Sequence, residues 1–193
     1  MPQLNMNKAI FLDKDGTLIP DIPYNVDPEQ ITLSNECIEG LKALLNDGYQ
    51  LVVISNQPGI AMGYFTEEQL ALVVSWMYEL LSKQGVMLTD FYYCPHHPDG
   101  TECECRKPMP GMLLKAAAEH QLDLSKSWMI GDILNDVEAG ARAGCRTVLI
   151  DNGNETEWLD GPCRIPSYQC ETINQAAVFI HNHDMLNVRL EQR

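Results

Sequence analysis

The sequence has few basic residues. Its 193 residues include 13 lysines and arginines against 27 aspartates and glutamates, and the formal net charge at pH 7 is −14. Nucleic acids and anionic membrane surfaces are bound largely through clustered Lys and Arg, so this composition argues against both as partners. An anionic substrate would need local positive charge, supplied by a bound Mg²⁺ or by a few well-placed basic side chains.

Long apolar segments are also lacking. No window of the sequence approaches the length that spans a bilayer, and the first residues do not combine a positive segment with a long apolar run. We therefore expect a cytoplasmic protein with no membrane partner.

Cysteine pairing is not indicated either, because the seven cysteines are an odd number. Three of them, Cys94, Cys103 and Cys105, lie close together beside His96, a pattern that favours a metal over disulfides. We interpret the other four as scattered packing thiols: Cys37, Cys145, Cys163 and Cys170.

The composition is that of an ordinary globular protein, with 45% hydrophobic and 21% charged residues, and the length suits one domain over residues 1–193. Short β-rich runs alternate with longer helical patterns, which predicts an α/β fold with a doubly wound, mainly parallel sheet. The predicted strands are 8–12, 50–55, 91–94, 127–130 and 146–150. The predicted helices are a segment from Ile38 that stops at Gly48, one from a capping box at Thr66 to near Gly85, and segments 112–120, 135–143 and 172–180.

The first predicted strand leads directly into two acidic residues and a glycine. Asp13 and Asp15 follow the apolar run, with Gly16 next. Because side chains alternate along a strand, the two carboxylates are expected to share one face. Such a pair is tolerable when a cation lies between the carboxylates or when one keeps its proton, and both conditions suit catalysis.

Polar residues also follow the other predicted strands. Ser55, Asn56 and Gln57 follow the second, Arg106 and Lys107 lie beyond the third, and Asp132 and Asp136 follow the fourth. Each of these residues alone has a structural explanation as a turn former, a helix cap or a solvated side chain. Ligands bind beyond the carboxyl ends of strands in open parallel sheets, so the four sets together predict a functional site there.

Phosphoryl transfer fits these residue types. A carboxylate such as Asp13 can attack phosphorus, provided that positive charge neutralises the substrate dianion. Asp13 and Asp132 suit Mg²⁺, which prefers hard oxygen ligands, and Lys107 would supply a second cation. Ser55 would hold phosphoryl oxygens, and Asp15 would exchange a proton with the leaving group and the attacking water. Asp136 would brace this cluster from the start of a helix.

The cysteine-rich segment predicts a second metal site. Three thiolates and one imidazole, from His96 or His97, fall within a dozen residues, a donor set that matches a tetrahedral structural Zn²⁺. A proline-rich loop offers little core in which reduced thiols could be buried.

These four motifs, in this order and over nearly the whole chain, resemble the haloacid dehalogenase superfamily of phosphotransferases. The resemblance implies that Asp13 is the nucleophile and Asp15 the general acid and base, with Ser55 and Lys107 contacting the phosphoryl group. It further implies that Mg²⁺ is bound by Asp13, the backbone carbonyl of Asp15, and Asp132. An acid at position 15 is typical of the phosphatases and not of the dehalogenase branch.

Cys-Pro-His-His-Pro at 94–98, followed by Cys-Glu-Cys-Arg-Lys-Pro at 103–108, resembles the zinc loop of the heptose bisphosphate phosphatases and the related histidinol-phosphate phosphatases. The resemblance implies that His96 is the imidazole ligand and that zinc positions Arg106 and Lys107. Segments 56–61, 63–66 and 24–28 are more similar to the heptose branch. That branch implies hydrolysis of D-glycero-D-manno-heptose 1,7-bisphosphate to the 1-phosphate, for a nucleotide-activated sugar of a surface polysaccharide such as lipopolysaccharide.

The chain departs from this pattern at Ile133, where the heptose enzymes usually have a basic residue. No large cap domain is expected. The short segment 19–33 and the zinc-binding loop 94–105 would therefore shape an open pocket for a small phosphorylated substrate. We expect the protein to be a monomer. The expected substrate-binding residues are Asp21, Tyr24, Asn25, Asn56, Gln57, Arg106 and Lys107.

The sequence is also compatible with two other functions. The enzymatic alternative is a histidinol-phosphate phosphatase or another small phosphomonoesterase. The non-enzymatic alternative is a zinc-stabilised binding module on an inactive phosphatase fold. Retention of the acidic motif, Ser55, Lys107 and Asp132 speaks against the binding module.

Overall fold

The computed structural model describes residues 7–100 and 103–191. In this part of the chain, six strands form one sheet in the order β3-β2-β1-β4-β5-β6, and every neighbouring pair is parallel. The strands are β1 (Lys8–Leu12), β2 (Tyr49–Asn56), β3 (Asp90–Cys94), β4 (Trp128–Gly131), β5 (Arg146–Ile150) and β6 (Tyr168–Cys170). The predicted α/β fold with a doubly wound sheet is confirmed, and the sheet is parallel throughout.

Five α-helices and two short 3₁₀ helices connect or follow these strands in the described ranges. The α-helices are α1 (Ile38–Asn46), α2 (Glu67–Lys83), α3 (Gly111–His120), α4 (Leu134–Ala143) and α5 (Ile173–Glu191), and the 3₁₀ helices are Pro28–Gln30 and Leu124–Lys126. No helix among the described residues is both long enough and apolar enough to cross a membrane.

The alternation of side chains along β1 divides the core into two layers. Ile10 and Leu12 pack on one face of the sheet with buried residues of α1, α2 and α5. Ala9 and Phe11 point to the opposite face and pack with buried residues of α3 and α4. Both faces of the sheet are therefore covered, which explains why its strands are apolar on both sides.

Two of the predicted helix ends have the expected geometry. The backbone N–H of Gln69 donates to Oγ1 of Thr66 at 3.3 Å, and the backbone N–H of Thr66 donates to Oε1 of Gln69 at 2.9 Å. This reciprocal capping box begins α2. Gly144 ends α4 with a φ of 94°, in the left-handed region that glycine adopts without a steric cost.

The structure differs from the prediction at the C-terminal end of the chain. Strand β6 was not predicted, because it has three residues and its central Gln169 is exposed. Helix α5 continues well beyond Ile180, although the sequence there is polar. The carboxylate of Asp184 accepts hydrogen bonds from Lys8 at 2.7 Å and Tyr49 at 2.8 Å, which join this polar extension to the starts of β1 and β2.

One cysteine prediction was wrong. Cys163 is exposed, whereas Cys37, Cys145 and Cys170 are buried as expected of packing thiols. Its backbone φ of 69° places it in a turn of the loop after β5, where no apolar layer covers it.

The connections that leave the carboxyl ends of the strands provide the walls of the site. The long ones follow β1 at 13–37, β3 at 95–110 and β5 at 151–167. Within the described residues, none of these connections forms a separate cap domain, as predicted. The carboxyl ends of β1, β2 and β4 are consequently accessible from one side of the sheet.

Candidate active site

Three buried carboxylates converge beyond the ends of β1 and β4. Asp13, Asp132 and Asp136 are 7%, 4% and 0% exposed, and one oxygen of each lies within 4.8 Å of the others. The backbone N–H of Asp13 donates to the carbonyl oxygen of Ile130 at 3.0 Å, which joins the two strand ends. Parallel pairing thus brings together residues that are more than a hundred positions apart in the sequence.

Lys107 neutralises part of this negative charge. Its Nζ atom contacts the Asp13 carboxylate, lies 2.6 Å from Oδ1 of Asp136, and donates to the carbonyl oxygen of Ile54 at 2.9 Å. The side-chain amide of Asn56 makes two hydrogen bonds with the backbone of Lys107. Its Oδ1 accepts from the backbone N–H of Lys107 at 3.0 Å, and its Nδ2 donates to the carbonyl oxygen of Lys107 at 3.1 Å. Asn56 therefore positions the lysine, and a substrate contact from Asn56 stays a prediction.

Burial dominates the electrostatics of this cluster. It raises the pKa of Asp13 well above its ordinary value, although Lys107 acts in the opposite direction. Burial and the neighbouring Asp136 raise the pKa of Asp132 to about 6. Burial alone would lower the pKa of Lys107, but Asp13 and Asp136 raise it above its usual range. Three carboxylates with one ammonium group form a hard, oxygen-rich set that fits a divalent cation such as Mg²⁺.

Asp136 contacts the cluster from the first turn of α4. One carboxylate oxygen contacts Lys107, and the other accepts a hydrogen bond from the backbone N–H of Ile133 at 3.3 Å. Gly131 makes room for this side chain, because a Cβ atom there would lie 2.3 Å from Cγ of Asp136.

The Asp15 carboxylate lies outside the three-carboxylate cluster. It contacts Nζ of Lys14 and accepts a hydrogen bond from Nε2 of Gln57 at 3.0 Å. Nε2 of Gln57 also donates to Oγ of the buried Ser55 at 2.8 Å. The two aspartates of the first motif thus have different environments, and a metal contact from the backbone carbonyl of Asp15 stays a prediction. Lys14 was not anticipated, although its position between the two acids could have suggested it.

A cavity of about 260 Å³ opens beside Asp15. Segment 19–33 forms one wall and the loop after β2 forms another. Lining residues include Lys14, Asp15, Asp21, Tyr24, Asn25, Asn56 and Gln57. Tyr24 packs against Tyr64 with ring centroids 4.5 Å apart, so the two walls touch.

Two polar residues of segment 19–33 line this cavity. Burial raises the pKa of Asp21. Oδ1 of Asn25 accepts a local hydrogen bond from the backbone N–H of Asp27 at 2.9 Å.

A larger cleft of about 770 Å³ lies on the side of the cysteine-rich loop 94–105, with Arg106, Lys107 and Asn135 in its walls. Nη1 of Arg106 is buried and has no hydrogen-bond partner among the residues that the structure describes. A buried donor of this kind is costly when it stays unpaired, which favours an anionic ligand at this position.

The cysteine-rich loop forms a compact group of four donors from Cys94, His96, Cys103 and Cys105. Nδ1 of His96 lies 3.3 Å from Sγ of Cys94, 3.0 Å from Sγ of Cys103 and 3.3 Å from Sγ of Cys105. Burial acts to raise the pKa of Cys103, but hydrogen bonds from Cys105 and the backbone N–H of Arg106 lower it to about 6. His97 points elsewhere and its Nδ1 accepts from the backbone N–H of Asp99 at 3.1 Å. Three sulfurs and one imidazole nitrogen fit a tetrahedral Zn²⁺.

The loop after β5 contributes site residues that sequence reasoning missed. Asn154 donates to Oδ2 of Asp132 at 2.7 Å, and Asn152 donates to the carbonyl oxygen of Gly16 at 2.6 Å. Glu155 accepts from the backbone N–H of Leu134 at 2.7 Å and so caps α4. No motif marks these residues, although the polar run after a parallel strand was a usable signal.

The sheet order, the paired aspartates after β1 and the buried lysine define a hydrolase of the haloacid dehalogenase-like class. A family model described as HAD-hydrolase-like matches residues 104–176. The solved structure of D,D-heptose 1,7-bisphosphate phosphatase from B. bronchiseptica, in complex with magnesium and phosphate, superposes with a TM-score of 0.77 at 28% identity. The match covers 91% of this chain and 99% of that one.

The sequence relatives of this chain include phosphatases that act on one sugar bisphosphate. A D-glycero-beta-D-manno-heptose-1,7-bisphosphate 7-phosphatase from Pasteurella multocida is 46% identical over 77% of this chain and 84% of its own length. A D-glycero-alpha-D-manno-heptose-1,7-bisphosphate 7-phosphatase from Photorhabdus laumondii is 38% identical over 80% of this chain and 88% of its own length. The chain belongs to the family of haloacid dehalogenase-like phosphatases that these heptose-1,7-bisphosphate 7-phosphatases represent.

Substitution of Gly16 tests how tightly the first motif is packed. Gly16 has a φ of 84°, and a Cβ atom there would lie 2.0 Å from Oδ2 of Asp132. Gly48 has a φ of 83° but no atom within 4 Å of a Cβ, so it is a matched control for the backbone cost. We expect Gly48→Ala to lose about 1–2 kcal/mol of stability and Gly16→Ala to lose clearly more. Urea unfolding of both variants measures the difference, and equal losses would contradict the packing argument.

Proposed function

We propose that this protein is a Mg²⁺-dependent phosphatase that removes the 7-phosphate from D-glycero-D-manno-heptose 1,7-bisphosphate and leaves the 1-phosphate. The observation that carries this proposal is the contact of Lys107 with Asp13 inside a buried three-carboxylate cluster, while Asp15 faces a separate cavity. This arrangement supports one aspartate as a nucleophile and the other as a proton carrier. The names of the relatives support the sugar bisphosphate as substrate.

In the first half of the reaction, a carboxylate oxygen of Asp13 attacks phosphorus and forms an aspartyl phosphate. The bond from phosphorus to the sugar oxygen breaks, and Asp15 in its acid form donates a proton to that oxygen. Lys107 favours the ionised form of Asp13, which is the form that attacks phosphorus. The Ser55 hydroxyl would bind a phosphoryl oxygen.

In the second half, water attacks the phosphorus of the aspartyl phosphate. Asp15, now a carboxylate, takes a proton from that water, and Asp13 leaves as a carboxylate while inorganic phosphate forms. The hydrogen bond from Gln57 holds Asp15 in place at the cavity during both transfers. Asp13, Asp132 and the backbone carbonyl of Asp15 would hold Mg²⁺, which supplies charge to offset the phosphoryl dianion when bound.

The second phosphate of the substrate requires positive charge away from the reacting centre. Arg106 lines the cleft beside the loop 94–105 and has a buried Nη1 atom without a hydrogen-bond partner among the described residues, which supports a role for Arg106 in recognising this phosphate. Ile133 is uncharged and cannot bind this phosphate as a basic residue at that position would. Arg106 would therefore contribute more of the binding of this phosphate than in an enzyme with that basic residue. We propose Asp21, Tyr24, Asn25 and Gln57 for the sugar side because they line the cavity next to Asp15.

A bound zinc ion in the loop 94–105 is part of the same proposal. Four ligands occupy all tetrahedral positions, so zinc would be structural and would fix the segment that leads into Arg106 and Lys107. We also propose one domain over residues 1–193, a monomer and a cytoplasmic location.

Asp13→Asn is expected to lower kcat by at least about 10³-fold, because an amide is a poor nucleophile towards phosphorus. Asp160→Asn, at an exposed position after β5, is the matched control and should keep wild-type activity. Phosphate release from heptose bisphosphate measures both variants, and thermal unfolding checks that each is folded. Wild-type turnover in the Asp13 variant would overturn the nucleophile assignment.

A substrate panel separates the candidate functions. We expect kcat/KM for the heptose 1,7-bisphosphate to exceed that for histidinol phosphate by at least about 100-fold, since histidinol phosphate lacks the second phosphate that Arg106 is proposed to bind. The alpha and beta anomers are assayed separately, with and without Mg²⁺. A preference for histidinol phosphate would favour the enzymatic alternative, and no release from any phosphate ester would favour the inactive binding module.

Loss of zinc is expected to lower stability and activity together. The double substitution Cys103→Ser and Cys105→Ser removes two of four ligands, and we expect kcat/KM to fall by about 10-fold or more. Cys163→Ser is the control, because that thiol is exposed and outside the four-donor group. Elemental analysis, thermal unfolding and kcat/KM are compared, and a zinc-free double variant with wild-type stability and rate would contradict the structural role.

A further inference from the structure

One short segment after β5, Asn152–Glu155, contacts the active site at three separate points. Asn152 donates to the carbonyl oxygen of Gly16, and Asn154 donates to Oδ2 of Asp132. Oε2 of Glu155 accepts from the backbone N–H of Leu134. The segment thereby links the turn after β1, the carboxylate after β4 and the start of α4.

The contact from Asn154 is the shorter of the two side-chain hydrogen bonds that Asp132 accepts. Its Nδ2 atom lies 2.7 Å from Oδ2, whereas Oγ1 of Thr17 lies 3.3 Å from Oδ1. Asp132 is 4% exposed, so few water molecules can replace these donors. The orientation of the Asp132 carboxylate therefore depends mainly on one amide.

The Asn154 amide and the Asp132 carboxylate are both packed closely against Gly16. A Cβ atom at Gly16 would lie 2.6 Å from Nδ2 of Asn154 and 2.0 Å from Oδ2 of Asp132. The amide and the carboxylate thus meet directly above the glycine of the first motif. A larger residue there would separate them.

The segment itself is anchored independently of Asp132. Oε1 of Glu155 accepts from the backbone N–H groups of Glu157 at 2.8 Å and Trp158 at 3.2 Å, which closes a turn. The backbone N–H of Asn154 donates to Oδ1 of Asn152 at 3.2 Å. Ile133 cannot cap α4 with its side chain, so Glu155 supplies the cap and fixes the distance from the segment to the helix. Asn154 is consequently held by its neighbours, whichever state Asp132 adopts.

We propose that Asn154 is a positioning residue that orients the Asp132 carboxylate for Mg²⁺ binding. The inference rests on the proposed magnesium site, since it assigns a role to a residue that supports one of the ligands. Hydrogen bonds of this kind fix the direction of a ligand oxygen and reduce the entropy lost when the ion binds. Asn154 is exposed, so removal of its side chain should leave the core unaffected.

Isothermal titration of the zinc-loaded enzyme with MgCl₂, without substrate, tests this role. We expect Asn154→Ala to raise the Kd for Mg²⁺ by about 10- to 100-fold. Without Mg²⁺, the unfolding midpoint of the zinc-loaded variant should match that of the zinc-loaded wild-type protein within the experimental error. Its kcat should recover towards wild type at saturating Mg²⁺, because Asn154 does not touch the reacting atoms. Thr156→Ala, at an exposed position of the same loop that makes none of these contacts, should keep the wild-type Kd.

Asp132→Asn separates failure of the inference from failure of the proposed site. If Asp132→Asn weakens Mg²⁺ binding and Asn154→Ala leaves the Kd within twofold of wild type, the positioning role is wrong and the magnesium site stands. If neither substitution changes the Kd, the magnesium site is misplaced and the inference falls with it. A lower unfolding midpoint for Asn154→Ala with an unchanged Kd would show a purely structural role and would also overturn the inference.

Discussion

The active site depends on the compensation of buried charge. Three carboxylates lie together at the end of a sheet, and the ammonium group of Lys107 contacts two of them. Burial raises the pKa of Asp13 and Lys107 acts against that rise, which favours the ionised form of Asp13 that attacks phosphorus. The remaining negative charge makes the same cluster a binding site for a divalent cation. Charge balance, nucleophile activation and metal affinity therefore come from one arrangement.

The parallel sheet makes this arrangement possible. The carboxyl ends of β1, β2 and β4 are adjacent, so short side chains on three connections can meet. Glycines provide the necessary space, since Gly16 lies under Asp132 and Gly131 lies against Asp136. The supporting contacts come from further out. Asn56 binds the backbone of Lys107, and the segment after β5 contacts the turn that follows β1.

The chain combines family features with features of its own. Its relatives are named as phosphatases of the two anomers of one sugar bisphosphate, so the family alone leaves the anomer open. Ile133 replaces an expected basic residue, and the structure shows what accompanies it. A loop carboxylate, Glu155, caps α4, and Arg106, whose buried Nη1 atom has no hydrogen-bond partner among the described residues, lines the cleft beside the loop 94–105.

Features of this protein that depend on residues close together in the chain could be predicted from the sequence. The apolar run before Asp13, the capping box at Thr66 and the spacing of the cysteines are local patterns, and each predicted its element or donor set. Tertiary structure decided the rest, because the contacts join residues that are distant in the chain. It placed Lys107 against Asp13, chose His96 over His97 beside the thiols, and extended α5 through Asp184. It also brought an unmarked loop amide to Asp132, since hydrogen bonds over such separations depend on the packed fold and leave no periodic signal in the sequence.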